Sequence, residues 1–249
     1  MTSDAMVVDV SRDWAVACDV QQRFMQGGDS AVDNLDYDAR CRQMMELGGD
    51  CYDFVPLAGN RVAVAVGDAS GKGLAAALMI SSVQSSLRTA TLFAANDGAA
   101  LVEAINRQVY ASSLEDRYAT VFYAVFDGAR RTLRYVNAGH NRPMVIRRDG
   151  SIAWLGDGGA PLGMFPDSTY EEGVVQLESG DVIVAYTDGV VEARDPAGEE
   201  WGVDGLRRAA AARDAECAED VVRAIFTSMD EFSGGRQTDD ATVAVLRVQ

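Results

Sequence analysis

The sequence has few of the residues that zinc, nucleophilic and nucleic-acid chemistry require. Its 249 residues include one His, four Cys, and 22 Lys or Arg against 38 Asp or Glu, for a formal net charge of −16. The scarcity of His and the absence of Cys-x-x-Cys spacing argue against a zinc site. The acidity argues against nucleic acid or an anionic membrane surface as a partner.

Signals for membrane insertion or secretion are also missing. No apolar run reaches the length of a transmembrane helix, and residues 1–13 lack the basic-then-apolar pattern of a signal peptide. We therefore expect a cytoplasmic protein. Its length fits one large domain with a short appendage, and we expect residues 1–34 to form an N-terminal linker or regulatory helix segment and residues 35–249 the main domain.

Apolar runs predict a layered fold. The runs Arg61–Asp68 and Asp181–Asp188 are apolar at odd and even positions, which is typical of strands covered on both faces. Helical patterns stand before and after a group of hairpin-like strands. This order predicts an α+β fold with two mainly antiparallel sheets and helices outside them. A doubly wound α/β fold is the alternative, and the consecutive hairpin-like strands from 119 to 177 argue against it. The predicted helices are 14–25, 73–93, 99–113, 203–212 and 218–232, and the further strands are 119–126, 132–137, 144–147, 172–177 and 241–248.

Acidic residues stand at the ends of the apolar runs. Asp68 and Asp188 end the two runs named above, Asp50 follows two glycines with Asp53 three residues further on, and Asp239 and Asp240 precede the last strand. Turn chemistry alone can explain an Asp beside a Gly. Carboxylates gathered at one end of a sandwich repel one another and need cations to stay ionised, and oxygen ligands suit Mg²⁺ and Mn²⁺. A divalent-metal site is therefore the competing hypothesis.

Strand geometry indicates where these carboxylates point. Residues two apart in a strand share a face, so we expect Asp68 on the face of Val64 and Val66. By the same reasoning, Asp188 should lie on the face of Val184 and Tyr186.

Two further features leave alternatives open. The segment Gly67–Gly73 lacks the spacing of a nucleotide-binding P-loop, but it leads from a strand into a helix N-terminus, where backbone N–H groups favour a phosphate. His140 is either a structural hydrogen-bonding residue or a general acid.

Six motifs, which occur in the family's order, resemble the SpoIIE/RsbU branch of the metal-dependent serine/threonine protein phosphatases, the PPM or type 2C-like family. They span residues 48–243 and occur here as GGDCYDF (48–54), GDASGKGLAAA (67–77), NAGHN (137–141), APLG (160–163), YTDGV (186–190) with Glu192, and TDDATV (238–243). The resemblance implies a four-layer αββα sandwich with two Mn²⁺ or Mg²⁺ ions between the sheets.

The resemblance also implies roles for single residues. Asp68 would bridge the two ions, the Ala69 carbonyl would bind one, and Asp188 and Asp239 would complete the other. Asp50 would act directly or through water, which makes the catalytic set Asp50, Asp68, Asp188 and Asp239. Asp240 is a further candidate ligand, and Lys72 is a candidate phosphate contact. A metal-bound hydroxide would then attack the phosphorus directly.

The resemblance departs from the larger PPM enzymes in the residues that follow Asp68. Those enzymes carry a His there and an Arg for the phosphate, whereas this chain has Ala69 and Ser70. The implied substrate is a phosphorylated anti-sigma-factor antagonist with a STAS domain, in a partner-switching pathway. Residues 19–24 resemble the linker helix of this branch, which implies self-association or an upstream activator. A catalytically silent binding module and a hydrolase of small phosphate esters are the alternatives.

Overall fold

Two sheets pack face to face, and helices cover both outer faces. The computed structural model describes residues 10–25, 31–113, 116–211 and 215–249, so residues 1–9 and 26–30 of the predicted linker segment lie outside the described residues. The helices are α1 Val10–Phe24, α2 Leu74–Ala94, α3 Gly98–Ser112, α4 Asp188–Val191, α5 Gly202–Ala210 and α6 Ala218–Ser233. The strands are β1 Leu35–Arg42, β2 Asp50–Leu57, β3 Arg61–Ala69, β4 Ala119–Asp127, β5 Thr132–Ala138, β6 Met144–Ile146, β7 Ile152–Trp154, β8 Gly158–Gly159, β9 Gly173–Gln176, β10 Val182–Tyr186 and β11 Ala241–Val248.

The strands divide into two sheets. The first sheet has the order β2-β3-β4-β5-β8, with β9 also paired to β5, and the second has the order β1-β11-β10-β6-β7. All the pairings are antiparallel except the short one between β5 and β8. The helices α2 and α3 cover the first sheet, and α5 and α6 cover the second. The predicted α+β sandwich is confirmed, and the doubly wound alternative is wrong.

The alternation of side chains in β3 explains why its sequence is apolar throughout. Val62, Val64 and Val66 face the second sheet, whereas Ala63 and Ala65 face α2 and α3. Small residues on the helix side let α2 approach, and β-branched residues on the other side fill the layer between the sheets. Burial on both faces is what the apolar run predicts.

Strands β2, β7 and β8 and helix α4 are absent from the elements that the sequence predicts. The polar residues of β2 hide its strand pattern, since Asp50 and Asp53 lie on opposite faces. Strand β1 does begin at Leu35, where the main domain was expected to start, but the division of the chain at residue 35 stays a prediction. None of the helices in the described ranges has the length and apolar character that a membrane crossing requires.

Candidate metal and phosphate site

Asp50 and Asp68 meet across two neighbouring strands. Asp50 begins β2, Asp68 lies near the end of β3, and the two are directly paired in the antiparallel register. Paired residues project to the same face, and Val64 and Val66 place this face of β3 in the layer between the sheets. The face expected for Asp68 is therefore the one observed. The Ala69 backbone N–H donates to the Gly49 carbonyl at 2.9 Å, which holds the Ala69 peptide beside the two carboxylates.

The second sheet brings the remaining carboxylates to the same end of the molecule. Asp188 is the first residue of α4, and the pair Asp239–Asp240 immediately precedes β11. Close packing joins these two segments, because a Cβ on Gly189 would collide with the Asp240 carbonyl oxygen. Only glycine fits there, so the YTDGV and TDDATV segments are held together at the site.

The reasoning that placed Asp188 by strand alternation is wrong. Strand β10 ends at Tyr186, and Val184 and Tyr186 pack outward against α5 and α6. The inner face of β10 carries Ile183 and Ala185, and the next inner position is Thr187. Asp188 reaches the site because the chain turns into α4 after Thr187.

Two threonine hydroxyls bind Asp50. Thr187 Oγ1 and Thr242 Oγ1 each donate to Asp50 Oδ2 at 2.7 Å, and the Thr242 backbone N–H donates to Thr187 Oγ1 at 2.9 Å. All three residues are buried. The sequence reasoning missed both threonines. Thr187 occupies the inner position just beyond the end of β10, and Thr242 occupies an inner position at the start of β11. A hydroxyl residue at the inner end of an apolar strand is the signal that could have revealed them.

Asp239 and Asp240 differ in their partners. Asp240 Oδ1 and Oδ2 accept from the backbone N–H groups of Met44 and Gly49, each at 2.6 Å. Asp239 Oδ2 instead accepts from Lys72 Nζ at 2.6 Å, and Lys72 also donates to the Thr238 carbonyl. Asp240 thus organises the 43–49 loop, whereas Asp239 has a partner that a cation could replace. Lys72 as a phosphate contact stays a prediction.

Burial, and then repulsion between neighbouring carboxylates, raises the pKa values at this end of the sheets. Burial is the main cause for Asp50, whose pKa rises to about 7 even though the two threonines lower it. Burial and then repulsion from Asp50 and Asp188 raise the pKa of Asp68 to about 8. Burial, followed by repulsion from Asp239, also raises the pKa of Asp188. A cluster of this kind lowers its free energy by binding cations.

The imidazole of His140 is hydrogen-bonded to Thr120 and not to any of the carboxylates. Its Nδ1 is 2.8 Å from Thr120 Oγ1, and Thr120 pairs with Asp68 across β3 and β4. Its backbone N–H donates to Asn137 Oδ1 at 2.7 Å. Burial lowers the pKa of His140 to about 4. A neutral, buried imidazole beside Thr120 favours the structural role over that of a general acid.

Asp53 does not belong to the site. It faces α2, where Arg88 Nε and Nη2 donate to its two carboxylate oxygens at 2.8 and 2.5 Å. Asp53 is 2% exposed, so this bidentate pair keeps a buried charge compensated.

The donor set fits hard divalent ions in its chemistry. Carboxylates and the Ala69 carbonyl supply oxygen ligands only, and Lys72 donates a hydrogen bond to one of these carboxylates, Asp239. In the described ranges, no three Asp, Glu, Cys or His side chains converge closely enough to enclose an ion. The carboxylates are gathered at one end of the sheets without a closed coordination shell, so the ligand set stays a prediction.

Comparison with known proteins identifies the family. A family model described as "Stage II sporulation protein E (SpoIIE)" matches residues 58–249. Phosphoserine phosphatase RsbU of Bacillus subtilis is 27% identical over 240 residues, which cover 96% of this chain and 71% of RsbU. Protein IcfG of Synechocystis sp. is also 27% identical, over 92% of this chain but 40% of its own length. The chain therefore spans less than half of IcfG.

Solved structures show the same fold. The SiaA-PP2C domain of Pseudomonas aeruginosa superposes with a TM-score of 0.82 at 20% identity, covering 96% of this chain and 97% of that domain. RsbX in complex with magnesium superposes with a TM-score of 0.67 at 17% identity, covering 88% of this chain and 98% of RsbX. The chain thus has the PP2C-type fold, as predicted. Since the family model covers most of its length, the chain belongs to the SpoIIE family.

Proposed function

We propose that this chain hydrolyses phosphoserine or phosphothreonine in a protein, using two Mn²⁺ or Mg²⁺ ions held at the carboxylate end of the two sheets. The observation that carries the proposal is the placement of Asp50, Asp68 and Asp188 at one end of the two sheets, where burial and neighbouring carboxylates raise their pKa values. Such perturbed carboxylates are typical of functional sites. The magnesium complex of RsbX, a structure with the same fold, supports the choice of cation.

Each group would have a separate task. Asp68, Asp188, Asp239 and the Ala69 carbonyl would hold the ions, and Asp50 would act directly or through water. Bound ions would supply a hydroxide nucleophile at neutral pH and offset charge on the phosphoryl oxygens. Lys72 and the N-terminus of α2 would orient the phosphate, since Lys72 lies two residues before that helix begins.

The proposed substrate is a phosphorylated anti-sigma-factor antagonist of the STAS type, dephosphorylated in the cytoplasm as part of a partner-switching pathway. Membership in the SpoIIE family and the similarity to the phosphoserine phosphatase RsbU support this class.

A panel of substrates tests the proposed function. We expect Mn²⁺-dependent release of phosphate from a phosphoserine STAS protein, with kcat/KM well above that for p-nitrophenyl phosphate. A preference for small phosphate esters would instead support the alternative function, a hydrolase of small phosphate esters. Metal binding without turnover of any substrate, with the STAS protein still bound, would support the silent binding module.

Helix α1 is the proposed route for regulation. Gln21 Nε2 donates to the Gly48 carbonyl at 2.7 Å, and Gln21 Oε1 accepts from the Gly48 N–H at 3.1 Å. Gly48 lies in the loop that Asp240 organises, two residues before Asp50. A partner or a second copy that displaced α1 would therefore act directly on the site. The exposed side chains Val16, Val20 and Phe24 give α1 an apolar face for such contact.

Substitution of that face tests the regulatory role. We expect Val16→Asp with Val20→Asp to change the oligomeric state or abolish activation, while the fold is retained. Identical oligomeric state, basal activity and response to activator would contradict a role for α1.

A further inference from the structure

Two buried threonines connect the sheets at Asp50. Asp50 begins β2 in the first sheet, whereas Thr242 lies on β11 and Thr187 follows β10 in the second. The two hydroxyls bind Asp50 at equal distances of 2.7 Å. Thr187 and Thr242 are 0% exposed and Asp50 is 2% exposed. The Thr187 backbone N–H also donates to the Thr242 carbonyl at 3.0 Å, so the two threonines form one unit.

The directions of these hydrogen bonds follow from the groups involved. A backbone N–H can only donate, so Thr187 Oγ1 accepts from Thr242. Since Thr187 Oγ1 is the acceptor in that bond, its single hydroxyl proton remains available to donate to Asp50. An ionised carboxylate can only accept, so the direction of the second bond is fixed as well. Both donors bind the same oxygen, Oδ2, which leaves Asp50 Oδ1 for the site.

We propose that Thr187 and Thr242 are positioning residues, which fix the Asp50 carboxylate so that its other oxygen faces a divalent cation or a cation-bound water. The inference rests on the proposed function, since it requires the carboxylate end to bind such ions. Groups that hydrogen-bond to a metal ligand set its orientation and strengthen metal binding. Because the unit spans both sheets, it would also fix Asp50 relative to Asp188, which directly follows Thr187.

A purely structural role predicts a different outcome. Buried carboxylates need hydrogen-bond donors whether or not they act in a reaction. If that were the only role of the threonines, their loss would lower stability and leave the metal affinity as it is. A measurement of Mn²⁺ affinity therefore distinguishes the positioning role from a purely structural one.

Thr242 is the better position for substitution, because Thr187 also accepts a backbone hydrogen bond. Thr242→Val keeps the side-chain shape and loses the hydroxyl, Thr242→Ser keeps the hydroxyl, and Thr242→Ala loses both. Thr91→Val is the matched control. Thr91 is also buried, and its hydroxyl binds Tyr123 Oη at 3.2 Å in the layer between α2 and the first sheet, away from the carboxylates.

The experiment is a calorimetric titration of the full chain with Mn²⁺ alone. We expect Thr242→Val to bind Mn²⁺ about 10- to 100-fold more weakly than wild type, with Thr242→Ser within about threefold. Thr91→Val should bind like wild type although its melting temperature falls. If Thr242→Val does not fold, the Ser and Ala variants form the comparison, and Ala should bind about 10- to 100-fold more weakly than Ser.

Equal Mn²⁺ affinity in Thr242→Val, Thr242→Ser and wild type would overturn the positioning role, as would equal affinity in the Ser and Ala variants. Hydrolysis assays on the same proteins separate this result from the proposed function. Hydroxyl-dependent Mn²⁺ binding without any phosphatase activity would overturn the proposed function and support the positioning role. Phosphatase activity combined with Mn²⁺ binding that does not depend on the hydroxyl would support the proposed function and overturn the positioning role. A wild-type chain that binds no Mn²⁺ would overturn both the proposed function and the positioning role.

Discussion

The layer between the two sheets has an apolar centre and a polar end, although the same strands supply both. In the centre, Val64, Phe122 and Ile183 pack without polar groups. At the end, the corresponding inner positions hold Asp68, Thr120 and Thr187. Buried carboxylates cost free energy through desolvation, and here their pKa values rise to about 7 and 8. A sequence that keeps such groups at one end of an otherwise apolar layer sacrifices stability there for function.

The largest expected effect is at the polar end. We expect Asp68→Asn to lower kcat for Mn²⁺-dependent phosphate ester hydrolysis about 1000-fold or more, because it removes the proposed bridging carboxylate. The melting temperature of the metal-free protein should hold or rise, since repulsion from Asp50 and Asp188 is relieved. Activity within tenfold of wild type would show that Asp68 holds no essential ion.

A substitution in the apolar centre should lower stability and leave metal binding unchanged. Ile183 is 0% exposed, and we expect Ile183→Ala to lower the free energy of unfolding by about 2–5 kcal/mol through cavity formation. Under conditions where the variant is folded, its Mn²⁺ affinity should equal that of wild type. Urea denaturation and calorimetry measure the two quantities. A large loss of Mn²⁺ affinity would mean that the two regions are not separable.

His140 makes the polar end sensitive to acid. Its folded-state pKa is about 4, below the ordinary value of 6.5. Between these values the unfolded chain binds a proton that the folded protein does not, so the contribution of His140 to stability is complete above pH 6.5. It is lost as the pH falls towards 4, at about 1.4 kcal/mol per pH unit.

The comparison with His140→Gln isolates this contribution. Urea denaturation at pH 6.5 and pH 5 should show that wild type loses about 2 kcal/mol more than the variant over this interval. Groups shared by both proteins cancel in the difference. Parallel stability profiles would mean that His140 is not held neutral.

The smallest effect is expected at Lys72. Its side chain is 52% exposed and that of its partner Asp239 is 39% exposed, so Lys72→Met should change stability by less than about 1 kcal/mol. If Lys72 contacts the phosphate, KM should rise by about threefold to fivefold with little change in kcat. An unchanged KM with tighter Mn²⁺ binding would instead mean that Lys72 only forms an ion pair with Asp239 and does not contact the phosphate.

The sequence predicted the centre of this layer better than its polar end. An apolar run such as 61–68 indicates a strand that is buried on both faces, because both sets of alternating side chains are then hydrophobic. The alternation of side chains along this strand also predicts the correct face for Asp68. Alternation fails at Asp188, where the chain has already left β10 for α4. The hydrogen bonds of Thr187 and Thr242 join residues 55 positions apart, and their bond to Asp50 spans more than 130 positions. No local pattern carries such contacts.

The resemblance to a family supplied what local patterns could not. From the sequence, Asp50, Asp53 and Asp68 were all candidate site residues. The structure separates them, since Asp53 pairs with Arg88 on the outer face while Asp50 and Asp68 meet between the sheets. Roles for Ala69 and Asp239 as ligands still come from the resemblance.

The most direct test of the central claim is hydrolysis of p-nitrophenyl phosphate by the wild-type chain in Mn²⁺, after EDTA, and after Mn²⁺ is restored. The account predicts turnover in Mn²⁺, its loss in EDTA and its recovery on restoration. Turnover that persists in EDTA would contradict a metal site at Asp50, Asp68 and Asp188.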